Sequence, residues 1–232
     1  MIFNPLIHAL KIVIPLLVLS ACTTVRPVLE YNPGATIDTL SASVSLSITT
    51  ADRGMSGNGF LVYRRPDLLH LVILSPFGTT IVEIFSNGEN ITILYPGSSI
   101  GYVGRIADLP EKGGLQSWRL MRWVMDANPS SSTGLNGTYE RTGSNGVNEN
   151  VTFENGLVTA KSTKNGDQVY YSNYTLARGV PFAAEVILLN KQEDRIRLIL
   201  DEPEVNTPLE DAAFHPRLEG LKILPLSELP GL

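Results

Sequence analysis

The sequence has few of the residues that carry chemistry. Its 232 residues include one cysteine, three histidines and only 18% charged side chains, with a formal net charge of −5. One cysteine excludes a disulfide framework, and the histidines stand at no metal-ligand spacing. There is no block of lysine and arginine of the kind that marks nucleic-acid binding, and no Gly-x-Ser-x-Gly motif of a hydrolase. We therefore expect no enzymatic activity, no metal and no nucleic-acid partner.

Long apolar runs are also missing, but a short one lies near the amino terminus. Residues 12–19 are apolar, Lys11 precedes them, and the run ends in Leu19-Ser20-Ala21-Cys22. Spanning a bilayer takes about 20 apolar residues, so the run has the length of a secretory signal peptide. Its small-small-Cys ending resembles the lipobox of bacterial lipoproteins. The alternative is an ordinary signal peptide followed by a chance cysteine.

The lipobox resemblance implies a lipid anchor. Residues 1–21 would be the cleaved signal peptide, and Cys22 would carry a diacylglycerol and an acylated amino group. Two or more acyl chains give stable membrane anchoring without a spanning helix. Thr23, rather than an aspartate, follows the cysteine, which in such lipoproteins implies the periplasmic face of the outer membrane. Residues 22–38, with two prolines and a glycine, are predicted to form a tether.

Alternating apolar and polar residues predict strands through most of residues 39–205. Within 43–49, for example, every second residue is Val, Leu or Ile and the others are Ser or Thr. Asn-Gly pairs at 87–88, 145–146, 155–156 and 165–166 favour tight hairpins. The pattern predicts about ten or eleven strands, at 43–49, 60–64, 68–74, 80–86, 91–95, 99–104, 147–154, 157–163, 168–177, 183–190 and 195–201.

One segment of the domain breaks the strand pattern. Residues 115–125 contain no Gly or Pro and are apolar on almost every side, which predicts a buried helix. Because a sheet of this size with one covered face curls, we expect a mainly β (α+β) fold: an incomplete, strongly curved antiparallel barrel with the helix across its concave face. The helix residues expected to line or cover its cavity are Leu115, Trp118, Leu120, Met121, Trp123, Val124 and Met125. Residues 206–232 form a Pro- and Leu-rich tail, and its part from 216 to 232 should lie against the domain without forming an element.

Beyond the lipobox, the chain resembles the LolB family of outer-membrane lipoprotein receptors, within the LolA/LolB superfamily. The resemblance spans residues 39–205. It is carried by the block 71–84 (LVILSPFGTTIVEI), by the Leu-rich, Trp-containing helix ending near Trp123, and by residues 183–201, which Pro181 precedes and which contain Arg195-Ile196-Arg197-Leu198.

The LolB resemblance implies a monomeric, non-enzymatic receptor. Its apolar cavity would take the acyl chains of a lipoprotein from a LolA-like periplasmic carrier. A loop formed by Pro76, Phe77 and Gly78 would then insert the cargo into the outer membrane, with Phe77 protruding. Two other functions stay open: lipid binding or lipoprotein sensing, as in RseB-type regulators, and a structural role in the envelope. The alternative for Phe77 is a buried aromatic plug, although its position in a short turn favours exposure. His70 and His215 are expected to be structural.

Overall fold

A computed structural model describes residues 29–51, 53–110, 114–143 and 146–230. The predicted signal peptide, the lipidation site at Cys22 and the first part of the predicted tether lie outside these residues. No helix within the described ranges is both long and apolar enough to cross a membrane.

A single sheet of 13 strands dominates the structure. The strands are β1 (Thr39–Thr49), β2 (Gly54–Arg64), β3 (Leu68–Leu74), β4 (Thr80–Asn87), β5 (Asn90–Tyr95), β6 (Ile100–Arg105), β7 (Gly137–Thr142), β8 (Asn148–Glu154), β9 (Leu157–Thr163), β10 (Gln168–Ala177), β11 (Val180–Leu189), β12 (Arg195–Val205) and β13 (Lys222–Pro225). Their order across the sheet is 13-6-5-4-3-2-1-12-11-10-9-8-7. The sheet is open, because β13 and β7 stand at opposite edges.

The predicted number and direction of the strands need correction. The sequence predicted ten or eleven antiparallel strands, whereas the sheet has two more, β7 and β13, and β13 runs parallel to β6. At the edge strand β7 nearly every side chain is exposed, so no alternation of apolar and polar residues marks it. Strand β13 has four residues and forms through its pairing with β6, which local sequence does not reveal.

The local turn chemistry is as predicted in part. Gly88 between β4 and β5 has φ of 61°, and in the β8–β9 turn Asn155 and Gly156 have φ of 52° and 77°. The glycine of each predicted Asn-Gly pair is left-handed, but Asn87 and Asn165 are not, so of the pairs that the structure describes in full only the one at 155–156 is left-handed at both positions.

One face of the sheet is covered by residues 114–125, which we call the cover segment. It consists of a 3₁₀ turn (Gly114–Leu120) followed by a short helix α1 (Met121–Met125). The predicted α-helix over 115–125 is therefore wrong for its first half. A 3₁₀ turn has about three residues per turn, which aligns Leu115, Trp118 and Met121 on one face, and all three are buried. Arg119 and Arg122 on the other side are exposed, so the segment is not apolar all round.

The contacts of the cover segment require a strongly curved sheet. Trp118 lines the same void as Ile84 of β4, while Trp123 bonds to Glu149 of β8. Strands β4 and β8 stand eight places apart, which would be about 38 Å in a flat sheet. Five residues of helix span only about 10 Å. The expected open, curved sheet with one covered face is therefore found, although its strand count differs.

Residues 206–230, which we call the C-terminal strap, cross the sheet from β12 to the edge at β6. The sequence predicted no element here, but the strap contains β13 and two 3₁₀ turns, Asp211–Phe214 and Leu226–Glu228. Leu226 and Leu229 belong to the main hydrophobic core. The strap is thus packed into the domain because its leucines complete the core beyond β6.

Candidate functional site

The loop between β3 and β4 is a tight, well-bonded turn. The Gly78 backbone N–H donates to the Ser75 carbonyl at 2.9 Å, and the Ser75 N–H donates to the Thr79 carbonyl at 2.8 Å. The Ser75 hydroxyl also accepts hydrogen bonds from the Phe77 and Thr79 amides, each at 3.2 Å. Pro76 is suited to the second position of such a turn, and Gly78 takes a left-handed φ of 80°. These bonds hold the loop in one conformation.

Phe77 stands at the tip of this loop. Its side chain is 93% exposed, the largest exposure among the large hydrophobic residues described. Pro76 and Gly78 beside it are exposed too. Of the two interpretations that the sequence left open, the buried plug is excluded. A fully exposed phenylalanine on a rigid turn leaves its apolar area available to another molecule.

The cover segment packs its large side chains into the core. Five of its seven predicted cavity residues are buried and two, Leu120 and Met125, are half-buried; the buried five are Leu115, Trp118, Met121, Trp123 and Val124. They separate two small apolar voids. One, of about 50 Å³, lies near Val124 and Met125, and the other, of about 30 Å³, lies beneath Leu115, Trp118 and Met121. Ligand cavities usually measure about 300–1,000 Å³, so the interior is closed in this conformation.

A buried polar cluster fixes the carboxyl end of the cover segment. We give this name to Trp123, Arg141, Glu149, Lys161 and Tyr171. The Lys161 and Glu149 side chains are 0% exposed and form an ion pair at 3.2 Å. Lys161 Nζ also donates to the carbonyls of Trp123 at 2.6 Å and Asp126 at 3.0 Å. These carbonyls end the helix, so the ammonium supplies donors that the helix itself lacks there.

The other members of the polar cluster complete its bonding. Trp123 Nε1 donates to Glu149 Oε2 at 2.5 Å, and Arg141 Nε donates to Glu149 Oε1 at 2.7 Å. The Tyr171 hydroxyl donates to the Val124 carbonyl at 2.6 Å. Burial lowers the pKa of Lys161 to about 8, although the neighbouring Glu149 carboxylate opposes this shift. Burial also raises the pKa of Tyr171, so the hydroxyl stays a donor.

The amino half of the cover segment is held more weakly. Its hydrogen bond to the sheet runs from Asn190 Nδ2, in the β11–β12 turn, to the Ser117 hydroxyl at 3.1 Å. Arg119 donates to the carbonyls of residues 106, 107 and 109, which belong to the chain just before the segment and not to the sheet. The buried Trp118 Nε1 has no hydrogen-bond partner within the described part of the chain. The two ends of the segment are therefore anchored very differently.

The polar cluster was missed in the sequence, although one signal was present. Glu149, Val151 and Phe153 alternate along β8 and all point to the buried face. Lys161 of β9 pairs with Val151 and so points to that face as well. The alternating pattern therefore placed the side chains of Glu149 and Lys161 on the buried face, where a charged group is stable only with a partner of opposite charge. Their mutual pairing depends on the register of β8 and β9.

Two solved structures share this fold. A DUF1329 family protein from Desulfovibrio piger matches with a TM-score of 0.54 and 12% identity, over 78% of this chain and 90% of that one. The second is a LolA superfamily protein from Nitrosomonas europaea. It matches with a TM-score of 0.52 and 15% identity, over 77% of this chain and 90% of that one. No family model matches the sequence, and no curated protein matches it.

Proposed function

We propose that this protein is a lipid-anchored receptor of the LolB type. It accepts the acyl chains of a lipoprotein from a LolA-like carrier between the sheet and the cover segment. It then passes the cargo to the outer membrane through the loop at Phe77. Cys22 supplies the anchor on the periplasmic face, and the protein needs neither a cofactor nor catalytic chemistry. The LolA superfamily fold and the apolar interior support this proposal.

The exposure of Phe77 is the observation that carries the proposal. A tight turn of Ser75 to Thr79 presents one aromatic side chain almost entirely to solvent. Transferring a side chain of this size into a bilayer is worth about 1.5–3 kcal/mol. The loop also extends β3, whose Leu71 lines the smaller void, and Ser75 lies about 13 Å farther along that strand. Acyl chains leaving the interior at this end of the sheet would therefore meet the loop.

Loading requires movement of the cover segment, because the voids of about 50 and 30 Å³ are too small for an acyl chain. The bonding favours a swing of the amino half, whose side-chain hydrogen bond to the sheet among the described residues is the neutral one from Asn190 to Ser117. The carboxyl half would stay in place, since Lys161 and Tyr171 bind two of its carbonyls and Lys161 also binds the carbonyl of Asp126, just after it. Trp118 would then leave the core while Trp123 remains in it.

Phe77→Glu tests the insertion step. The variant should keep its stability within about 0.5 kcal/mol, because the side chain makes no core contacts. It should still take a lipidated cargo from a LolA-like donor but release it poorly into liposomes, since a charge resists burial in lipid. Thermal unfolding, cargo acceptance and liposome insertion are measured on the same preparation. The matched control is Leu176→Glu, at an apolar residue of β10 that is 44% exposed.

Each result of this comparison has a defined meaning. Insertion lost in Phe77→Glu and kept in Leu176→Glu supports the loop as the insertion device. Normal insertion by Phe77→Glu contradicts that role. Cargo that stays with the donor when the unaltered protein is present in equimolar amount contradicts the receptor function itself.

A structural role in the envelope is the second candidate, and the small size of the interior voids favours it. Of the two tryptophans of the unaltered chain, only Trp118 lies in the half of the cover segment that would move. A receptor should show a change in tryptophan fluorescence when a fluorescence-silent fatty acid is added. A permanently closed core should show none at any concentration below micelle formation.

A further inference from the structure

The C-terminal strap is fastened to the sheet at both ends. At its start, Asn206 Oδ1 accepts the Asp38 amide at 2.8 Å. Arg64 of β2 then forms an ion pair with Asp211 at 2.6 Å, and its guanidinium lies 4.8 Å from the centre of the Phe214 ring. At its end, β13 pairs with β6 and Leu226 is buried. Between these anchors the strap bridges β3, β4 and β5.

A cavity of about 410 Å³ lies under this bridge. We call it the strap cavity. It is far larger than either interior void and falls within the range of small-molecule sites. Its lining combines the sheet and the strap: His70, Glu83, Phe85, Leu94 and Pro96 from the sheet side, and Ala212, His215, Arg217 and Leu221 from the strap.

The strap side of the cavity offers donors to an anion. His215 and Arg217 flank Pro216, and residues two apart in extended chain project to the same side; both line the cavity. Arg217 has no ion-pair partner among the residues that the structure describes. His215 Nδ1 donates to the Asp211 carbonyl at 2.7 Å, so Nε2 is the atom that can donate to an anion when the ring carries both protons.

The sheet side of the cavity is mainly aromatic and aliphatic, and Glu83 contributes a carboxylate. The rings of His70 and Phe85 stack with centroids 3.9 Å apart and an angle of 16°. Glu83 Oε2 lies 3.6 Å from His70 Nε2, so this carboxylate faces a histidine of the cavity lining. Burial lowers the pKa of His70, while Glu83 and the Ala213 backbone oppose the shift. Leu94 and Leu221 extend the apolar surface.

We propose that the strap cavity binds a small amphiphilic anion, a phosphate or carboxylate group on a short apolar body. Arg217 and His215 bind the charged group, and Phe85, Leu94 and Leu221 contact the apolar body. Arginine suits this role because its planar fork matches both anions. A metal is a poorer occupant, since no group of three or more metal-ligating His, Cys, Asp or Glu residues occurs in the described part of the chain. This site is separate from the interior proposed for lipoprotein cargo.

The test uses the full chain carrying Cys22→Ser, titrated by calorimetry in phosphate-free buffer. The probes are hexyl phosphate and hexanoate, with inorganic phosphate and hexanol as their two halves. Both amphiphilic anions should bind more tightly than either half. A preference for hexyl phosphate points to a phosphate headgroup as the natural source, and a preference for hexanoate points to a free fatty acid or a similar carboxylate.

Three substitutions locate the binding and show which charge the cavity prefers. Arg217→Gln should weaken the binding of hexyl phosphate about tenfold or more, because it removes a charged hydrogen bond. Lys222→Gln removes a charge from the same strap outside the lining and should leave binding unchanged. Glu83→Gln should tighten binding, because it removes a negative charge from the cavity.

The proposal is overturned by any of three results. The first is the absence of binding by both amphiphilic anions. The second is equal weakening by Arg217→Gln and Lys222→Gln, which would mean that general surface charge attracts the probe. The third is a loss of binding in Glu83→Gln with none in Arg217→Gln, which would mean that the probe is held at Glu83 and not by the arginine. Thermal unfolding of each variant confirms that it is folded before titration.

Discussion

Replacing Lys161 by Met tests whether the polar cluster holds the cover segment. Met keeps the length and apolar stem of lysine, so packing changes little, while the ammonium and its bonds are lost. Those bonds join Nζ to the Trp123 carbonyl at 2.6 Å, the Asp126 carbonyl at 3.0 Å and Glu149 at 3.2 Å. The substitution therefore removes one partner of a buried ion pair and the main donor at a helix end.

The expected loss of unfolding free energy is about 3 kcal/mol. Breaking a buried pair by removing one partner costs about 3–5 kcal/mol, since a charge stays buried without compensation. The lower end applies here because Glu149 keeps Arg141 at 2.7 Å and Trp123 at 2.5 Å. Adding Glu149→Gln removes that charge, so the double variant should be more stable than Lys161→Met alone by about 1 kcal/mol.

The chain offers a matched control for this experiment. Lys164 and Glu140 form an ion pair at the same distance, 3.2 Å, but their side chains are 74% and 64% exposed. A surface pair of this kind is worth about 0–1 kcal/mol, so Lys164→Met should lose little stability. Both variants are unfolded in urea, with the fluorescence of Trp118 and Trp123 as the probe.

Two results would refute this reasoning. If Lys161→Met loses no more stability than Lys164→Met, burial does not strengthen the pair. If Lys161→Met is destabilised and Glu149→Gln restores nothing, the loss comes from packing and not from an unpaired charge.

Two further predictions concern pH and backbone spacing. Burial lowers the folded-state pKa of Lys161 to about 8, below the unfolded value of about 10.4, so the unfolded state binds more protons between these values and stability should rise from pH 8 to pH 10; unlike Met, the neutral amine still donates to the Trp123 and Asp126 carbonyls. Urea unfolding at both pH values should show this rise in the unaltered protein and not in Lys161→Met. Above pH 10 the stability should fall again, because burial raises the pKa of tyrosines such as Tyr63, to about 12, and the unfolded state then loses protons first. Gly59→Ala should cost about 3 kcal/mol, because its Cβ would lie 1.7 Å from the Val72 carbonyl oxygen of β3. Gly97→Ala, which meets nothing within 4 Å, should melt within a degree or two of the unaltered protein, and equal melting of both variants would contradict the close approach.

Local features of the fold were predictable from the sequence. Asn-Gly pairs marked the hairpins because left-handed backbone is inexpensive for these residues. Eleven strands were recognisable because alternating side chains must separate a buried face from an exposed one. A connection between the predicted strands 68–74 and 80–86 was expected, and its turn suits Pro76, which fixes φ, and Gly78, which accepts a left-handed φ. Burial of the segment around Trp118 and Trp123 followed from its apolar composition.

Tertiary structure alone decided the features that join distant parts of the chain. Strand β13 forms because β6 offers a free edge. With four residues, β13 is too short to show an alternating apolar and polar pattern in the sequence. The pairing of Lys161 with Glu149, and the meeting of both with Trp123, depend on strand register and on the curvature that places the cover segment over β8 and β9. The strap cavity joins residues about 150 positions apart in the chain, such as His70 and Arg217. The sequence by itself determined which segments form turns, which form strands and which are buried, because these preferences are set by residues adjacent in the sequence. Which segments contact one another was decided by packing across the whole sheet.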